Sequence, residues 1–282
     1  FEPEKTRTRD VLTDPWIAAL VALFAWWFST GAILCLVRFA DHRGPGAARV
    51  AVILCLPFLA LGVWGAVAET GLSGAVAPYV GFGSALLIWG WIELAFLTGI
   101  ITGPNVHRCP DRVPEWERFL RAWGTIAYHE MLLAGTLAAL WLLTRSEGLS
   151  FAFWTFAVLF FARISAKLNL FLGVRKVNTE FLPSALAHLP SHFRIAAMNW
   201  LFPMSITALS FAVACWLERL AGAANTAEVA GFALLAAITA LALLEHWFMV
   251  LPLPDEKLWR WMLPAPKEIT QKNARPEDAH GL

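Results

Sequence analysis

Apolar residues run along this chain in blocks of roughly twenty, the length a helix needs to cross a bilayer. The pattern predicts seven spans, at 16–37, 47–68, 79–101, 123–143, 151–172, 200–220 and 227–251. Gly44-Pro45-Gly46, Gly71, Gly74, Gly103-Pro104 and Gly148 punctuate the joins. The blocks make one seven-helix transmembrane domain at 16–263, between an N-terminal arm at 1–15 and a polar C-terminal tail at 264–282. Three intervening pieces are more than turns. The stretch 104–121 is basic, and Pro114-Glu115 starts the fourth helix ahead of its apolar block. The stretch 178–195 offers Asn178 or Thr179 as an N-cap, followed by Phe181, Leu182, Leu186, Leu189 and Phe193, which predicts a short helix lying in the membrane interface. Around 254–263, Leu258, Trp259, Trp261 and Met262 stand beside Lys257 and Arg260, which predicts a second interfacial piece.

Composition sharpens this picture. The chain is 58% hydrophobic and 15% charged, where a soluble domain carries about a quarter charged residues. The fold class is therefore an all-α, polytopic membrane protein whose first partner is the lipid bilayer. An odd number of spans puts the termini on opposite sides. Fifteen Lys and Arg fall on the side of the C-terminus and five on the other, so the positive-inside rule predicts a periplasmic N-terminus and a cytoplasmic C-terminus. Trp16, Trp141, Trp154 and Trp216 then fall at outer ends, and Trp116, Trp123, Trp200, Trp259 and Trp261 at inner ends, as amphipathic rings do at headgroup level. The cysteines Cys35, Cys55, Cys109 and Cys215 lack metal-ligand spacing and are expected to be packed thiols.

The remaining signal is charge at membrane depth. The fifth span carries Arg163, Lys167 and Asn169. The two cations are four apart and share a helical face. A bare cation in hydrocarbon costs at least ~2.5 kcal/mol, so partners are required. Glu93 on the third span, His129-Glu130 on the fourth and Glu245-His246 on the seventh supply candidates. At about 1.5 Å per residue, these groups lie at similar depth, in the predicted cytoplasmic half. Three acids face two cations, so a protonated histidine, a protonated acid or a bound cation would close the balance.

One reading of Glu93, Glu130, Arg163, Lys167, Asn169 and Glu245 is a buried polar network that fixes helix packing. A second gives His129 or His246 a ligating role toward the magnesium of a chlorophyll-type ring or a haem iron, with Trp89, Trp91 and Trp247 stacking on the macrocycle; ordinary packing is the competing reading for each tryptophan. A di-metal carboxylate site would want Glu-x-x-His pairs on facing helices, whereas the pairs here are adjacent, so no metal site is predicted. The last span has no lysine for a retinal Schiff base. No phosphate loop, dinucleotide fingerprint, HExxH or GxSxG is present, so no catalytic residue is assigned. The basic loops follow from topology and call for no nucleic acid.

Several stretches together carry a family resemblance: FAWWFSTGAI, LIWGWIELAFLTGIITGP, YHEMLLA, RISAKLNLFLGVRKVNTEFLPSALAHL, MNWLFPMSI and LEHWFMVLPLPDEKLWRWML. They resemble the PuhE family of photosynthetic complex assembly proteins of anoxygenic phototrophic bacteria. The match spreads from about residue 25 to 263 and leaves out the arm and the tail. The resemblance implies a multi-pass protein of the bacterial inner, photosynthetic intracytoplasmic membrane. It implies help in assembling the reaction centre and light-harvesting 1 antenna, or in supplying bacteriochlorophyll. Implied partners are subunits of those complexes or pigment-biosynthesis proteins, with transient binding of bacteriochlorophyll or a precursor. Two alternatives stay open: a membrane enzyme of tetrapyrrole metabolism using His129 and Glu130 as acid–base pair, and a carrier of a pigment precursor or an ion. The enzyme requires a substrate-sized cavity among the third, fourth, fifth and seventh spans.

Overall fold

The computed structural model describes residues 11–146, 148–177 and 182–251. Among the described residues, seven helical stretches are long and apolar enough to cross a membrane. The first is α1, Pro15–Arg43. Asp14 caps it, accepting the Trp16 backbone N–H at 2.8 Å, and Pro15 supplies the preset φ of a first helical residue. Gly44, at φ 89°, ends it. The second span is broken into α2, Pro45–Leu54, and α3, Leu56–Ala68. Pro57 has no N–H to continue the ladder. Trp91 meets the disturbed backbone by donating its indole N–H to the Val52 carbonyl at 3.1 Å.

The other helices are α4 (Val76–Leu97), α5 (Glu115–Thr144), α6 (Phe151–Leu172), α7 (Leu201–Ala221) and α8 (Thr226–Phe248). α5 starts at Glu115, after Pro114, and so extends eight residues ahead of the predicted span. Helices α4 and α8 are the core: 61% and 56% of their most apolar windows are buried, against 11–28% in the other spans. Around α4 pack α1, α3, α6 and α8. The α3–α4 seam uses small residues, as membrane interfaces do in the absence of a hydrophobic driving force between helices. A Cβ at Gly65 would sit 2.3 Å from Ser84 Oγ, and one at Gly62 2.9 Å from Ile88. On the opposite flank, the Phe151 ring lies where a Cβ at Gly231 of α8 would be, 2.0 Å away.

α6 is held at both ends. At its start Ser150 caps Phe153, and Glu69 from the far end of the second span reaches the same turn. Glu69 accepts the backbone N–H of Phe151 at 2.6 Å and of Ala152 at 3.0 Å, and the Ser150 hydroxyl at 3.1 Å. A buried carboxylate thus meets the unpaired donors and positive pole of a helix N-terminus. Gly81 makes room for it: a Cβ there would stand 2.4 Å from the Glu69 carboxyl carbon. At the other end Asn169 gives one N–H to Ser205 Oγ on α7 and accepts one from Asn199, while Asn199 Oδ1 caps α7 at Leu201 and Phe202.

The end of the bundle that carries the basic loops is closed by irregular backbone folded onto the helices. Thr102 accepts the backbone N–H of His129 from the middle of α5, and Asn105 donates its own to Gly124. Non-helical backbone at this depth is viable because protein buries and satisfies it. Arg118 ties the closure together, donating to the His192 and Phe171 carbonyls at 3.0 Å and lying 3.8 Å above the Phe171 ring.

Here the structure corrects one expectation. The described part of the predicted interfacial helix consists of two single turns of tighter helix, Ser184–Leu186 and Leu189–His192. Pro183 and Pro190 interrupt it, and Leu186 and Leu189 are buried against Phe96 rather than turned to lipid. Residues 178–181, the interfacial piece at 254–263 and the tail lie outside the described residues. The cysteines also differ from expectation: all are free, but Cys35 is exposed and the other three are only half-buried.

Two substitutions test the clamp on α6. Gly81→Leu drives a side chain into Glu69, and Glu69→Ala leaves the α6 donors unpaired; each should destabilise by about 1–3 kcal/mol. Gly83→Ala, which meets nothing within 4 Å, should be near neutral. Thermal unfolding in detergent reads all three, and equal midpoints for Gly81→Leu and Gly83→Ala would refute the clamp.

Candidate functional site

The fifth span is the axis of the site. Because Arg163 and Lys167 share one face of α6, they reach neighbouring helices at successive turns. Arg163 donates to Glu93 Oε2 of α4 at 3.0 Å. Lys167 pairs with Glu130 of α5, and its ammonium lies 5.4 Å from the Phe96 ring centre. Glu93 and Glu130 are almost fully enclosed. His129 Nε2 stands 3.8 Å from Glu93 Oε1, and its ring lies against Phe96 at 4.3 Å between centroids. Three helices are thus joined through two ion pairs in the basic-loop half of the bundle.

Several polar atoms in this knot are enclosed without a hydrogen-bond partner among the described residues: Glu93 Oε1, Glu130 Oε2, Arg163 Nε and both ring nitrogens of His129. Buried polar groups normally find partners, and these five enclosed atoms without one lie together in the knot.

Two cavities adjoin the knot, of about 580 and 320 Å³. Arg163, Ala166, Leu241 and Glu245 line both. The larger one also exposes Lys167 and Glu130 beside Phe96, Trp123 and Phe248. Glu245, on α8, makes no hydrogen bond or ion pair among the described residues and is open to both spaces.

The remaining candidates lie elsewhere. His246 is fully engaged. Its Nδ1 lies 2.8 Å from the Ala242 carbonyl, which can only accept, so that nitrogen donates and Nε2 accepts from Ser165 Oγ at 2.9 Å. His129 borders neither cavity. Trp91 is occupied with Val52, Trp247 packs edge-on to Phe202 at 5.8 Å, and Trp89, edge-on to Phe156 at 5.3 Å, borders the smaller cavity. Asn169 belongs to the α6–α7 joint and not to the ion pairs. The described residues bring together no group of three His, Cys, Asp or Glu suited to a metal.

Two contributors escaped the sequence reading. Trp26, from α1, lines both cavities. His192, from the loop that closes the basic end, borders the larger one. Burial holds His192 below the ordinary histidine pKa, and burial with nearby His107 does the same for His188.

A family described as "Protein of unknown function (DUF3623)" matches residues 12–270 of the chain. The chain belongs to the DUF3623 family. A Rhodobacter capsulatus protein described as "Uncharacterized 30.4 kDa protein in puhA 5'region" is 52% identical over 266 residues, covering 94% of this chain and 97% of that protein. No solved structure matches.

For this DUF3623 chain the ion pairs make a direct prediction. Lys167→Met strands the enclosed Glu130 and should cost about 3–5 kcal/mol, whereas the double change with Glu130→Leu should recover most of it, because the loss comes from an unpaired buried charge. Unfolding midpoints of the single and double variants decide; additive losses would refute the pairing.

A pH prediction follows from the loop. Folded His188 and His192 resist protonation, while in the unfolded chain they take up protons near pH 6.5. The unfolded state then binds more protons, so stability should fall as pH drops through about 6.5 and level off below the lowered folded values. His192→Phe should flatten the unfolding midpoint between pH 8 and pH 5. An unchanged slope would remove His192 from the effect.

Proposed function

We propose that this protein is an assembly factor of the photosynthetic membrane, assisting reaction-centre and light-harvesting 1 assembly or bacteriochlorophyll supply. The observation that carries this reading is the relative in the puhA region, similar over nearly the whole length of both chains, which points to a photosynthesis gene cluster. The resemblance of the quoted motifs to the PuhE family supports the same conclusion. In this reading the protein is a multi-pass component of the bacterial inner membrane with its basic loops and C-terminus cytoplasmic. It works by binding a subunit, a pigment or both.

The structure favours small-molecule handling as part of the work. A space of about 580 Å³ at membrane depth is within the range of ordinary ligand sites. Pigment binding would use the cavities rather than the two span histidines, since His246 is engaged and His129 is enclosed away from them. The same enclosure weighs against His129 as the acid–base residue of an enzyme.

The test is removal of the gene from a phototroph, followed by near-infrared absorption of the membranes. Assembled reaction centre and light-harvesting 1 should fall severalfold and return with the intact chain. Tagged protein purified in mild detergent should bring down pigment or a complex subunit. Membranes with normal complex levels, together with a purified chain free of pigment and subunits, would overturn the proposal.

A further inference from the structure

We propose that the paired cavities bind a neutral, carbonyl-bearing amphiphile drawn from the bilayer, its oxygen held between Arg163 and Lys167. The walls set the body of the ligand. Aromatic and aliphatic side chains dominate the lining, and Phe119, Trp123, Leu168 and Leu244 at the rim are exposed on membrane-spanning helices. A ligand reaching such a space comes from the lipid.

The polar end sets the head group. A guanidinium carries five N–H donors and an ammonium three. Arg163 gives one to Glu93 while its side chain stays 39% exposed, and Lys167 gives one to Glu130. Donors are therefore in surplus at the cavity wall, and an acceptor oxygen satisfies them. That acceptor is not a carboxylate: each cation already has its acid, and Glu245 presents a third carboxyl to both spaces. Another acid would stand beside it without a counter-charge. A ketone, quinone or ester oxygen fits the donors and adds no charge. Isoprenoid quinones and esterified chlorins both supply this chemistry. The inference rests on the cavity and does not depend on a role in photosynthetic assembly.

The chain in lipid nanodiscs tests it with three probes: decylbenzoquinone, bacteriochlorophyll and palmitate. Trp26 and Trp123 line the larger cavity, so quinone quenching or energy transfer to the chlorin reports occupancy. One neutral probe should saturate near one per chain, and which one it is separates quinone from chlorin. Palmitate should not displace it. Ala166→Phe, which fills the shared wall, should weaken binding about tenfold or more while leaving helicity and unfolding midpoint unchanged. Ala122→Phe, from the α5 side, serves where the first variant folds poorly. No saturable neutral probe, equal binding in a folded cavity-filled variant, or displacement by palmitate would each overturn the proposal. Loss of photosynthetic complexes on gene removal would leave these outcomes unaffected, so the two readings fail separately.

Discussion

A cation inside a bilayer has to be paired, and α6 carries two of them on one face. That requirement fixes much of the bundle. Arg163 pairs with Glu93, which sets the rotation and depth of α4; Lys167 imposes the same condition on α5 through Glu130. The pairs sit one helical turn apart along α6, so satisfying both leaves little freedom to slide or rotate. Apolar residues of similar volume could match such pairs in stability, but would accept many registers, because lipid and leucine are nearly equivalent to one another.

The same helix is fastened at its ends by a different device. Glu69 presents its carboxylate to the backbone donors at the start of α6, and the Asn169–Asn199 exchange joins its end to α7. The second, third, fourth, sixth and seventh spans each send a polar group to the fifth. Burial follows another ranking, in which α4 and α8 are the most enclosed and α6 is partly exposed. The helix that specifies the arrangement is therefore not the one that fills the core.

The spans were legible because twenty apolar residues in a row have few other uses, and the early start of α5 was legible because Pro114 followed by Glu115 favours a helix start. The residues at the charged level stood out because each is anomalous alone, and the structure brings Glu93, Glu130, Arg163 and Lys167 into contact. Glu69 gave no such signal: it lies just past a predicted span, where acids are ordinary, and its partners are some 80 residues away. The turns near Ser184 and Leu189 were misread because spacing of apolar residues outweighed Pro183 and Pro190. The role of Trp26 was illegible because lining a cavity depends on what neighbouring helices leave empty, which no local pattern encodes.

That emptiness lies beside the pairs themselves. Along the α3–α4 seam, glycines let backbones approach until a single added carbon would collide. At the charged level, α6 meets α4 and α5 through arginine, lysine and glutamate side chains, and the cavities adjoin these residues. Ala162 and Ala166 on α6 add no bulk to close the gap, and α8 contributes Glu245 without a bonded counterpart among the described residues. The bundle is therefore tight where small residues meet and open where charges do. The groups that make the packing specific therefore also line the space beside it.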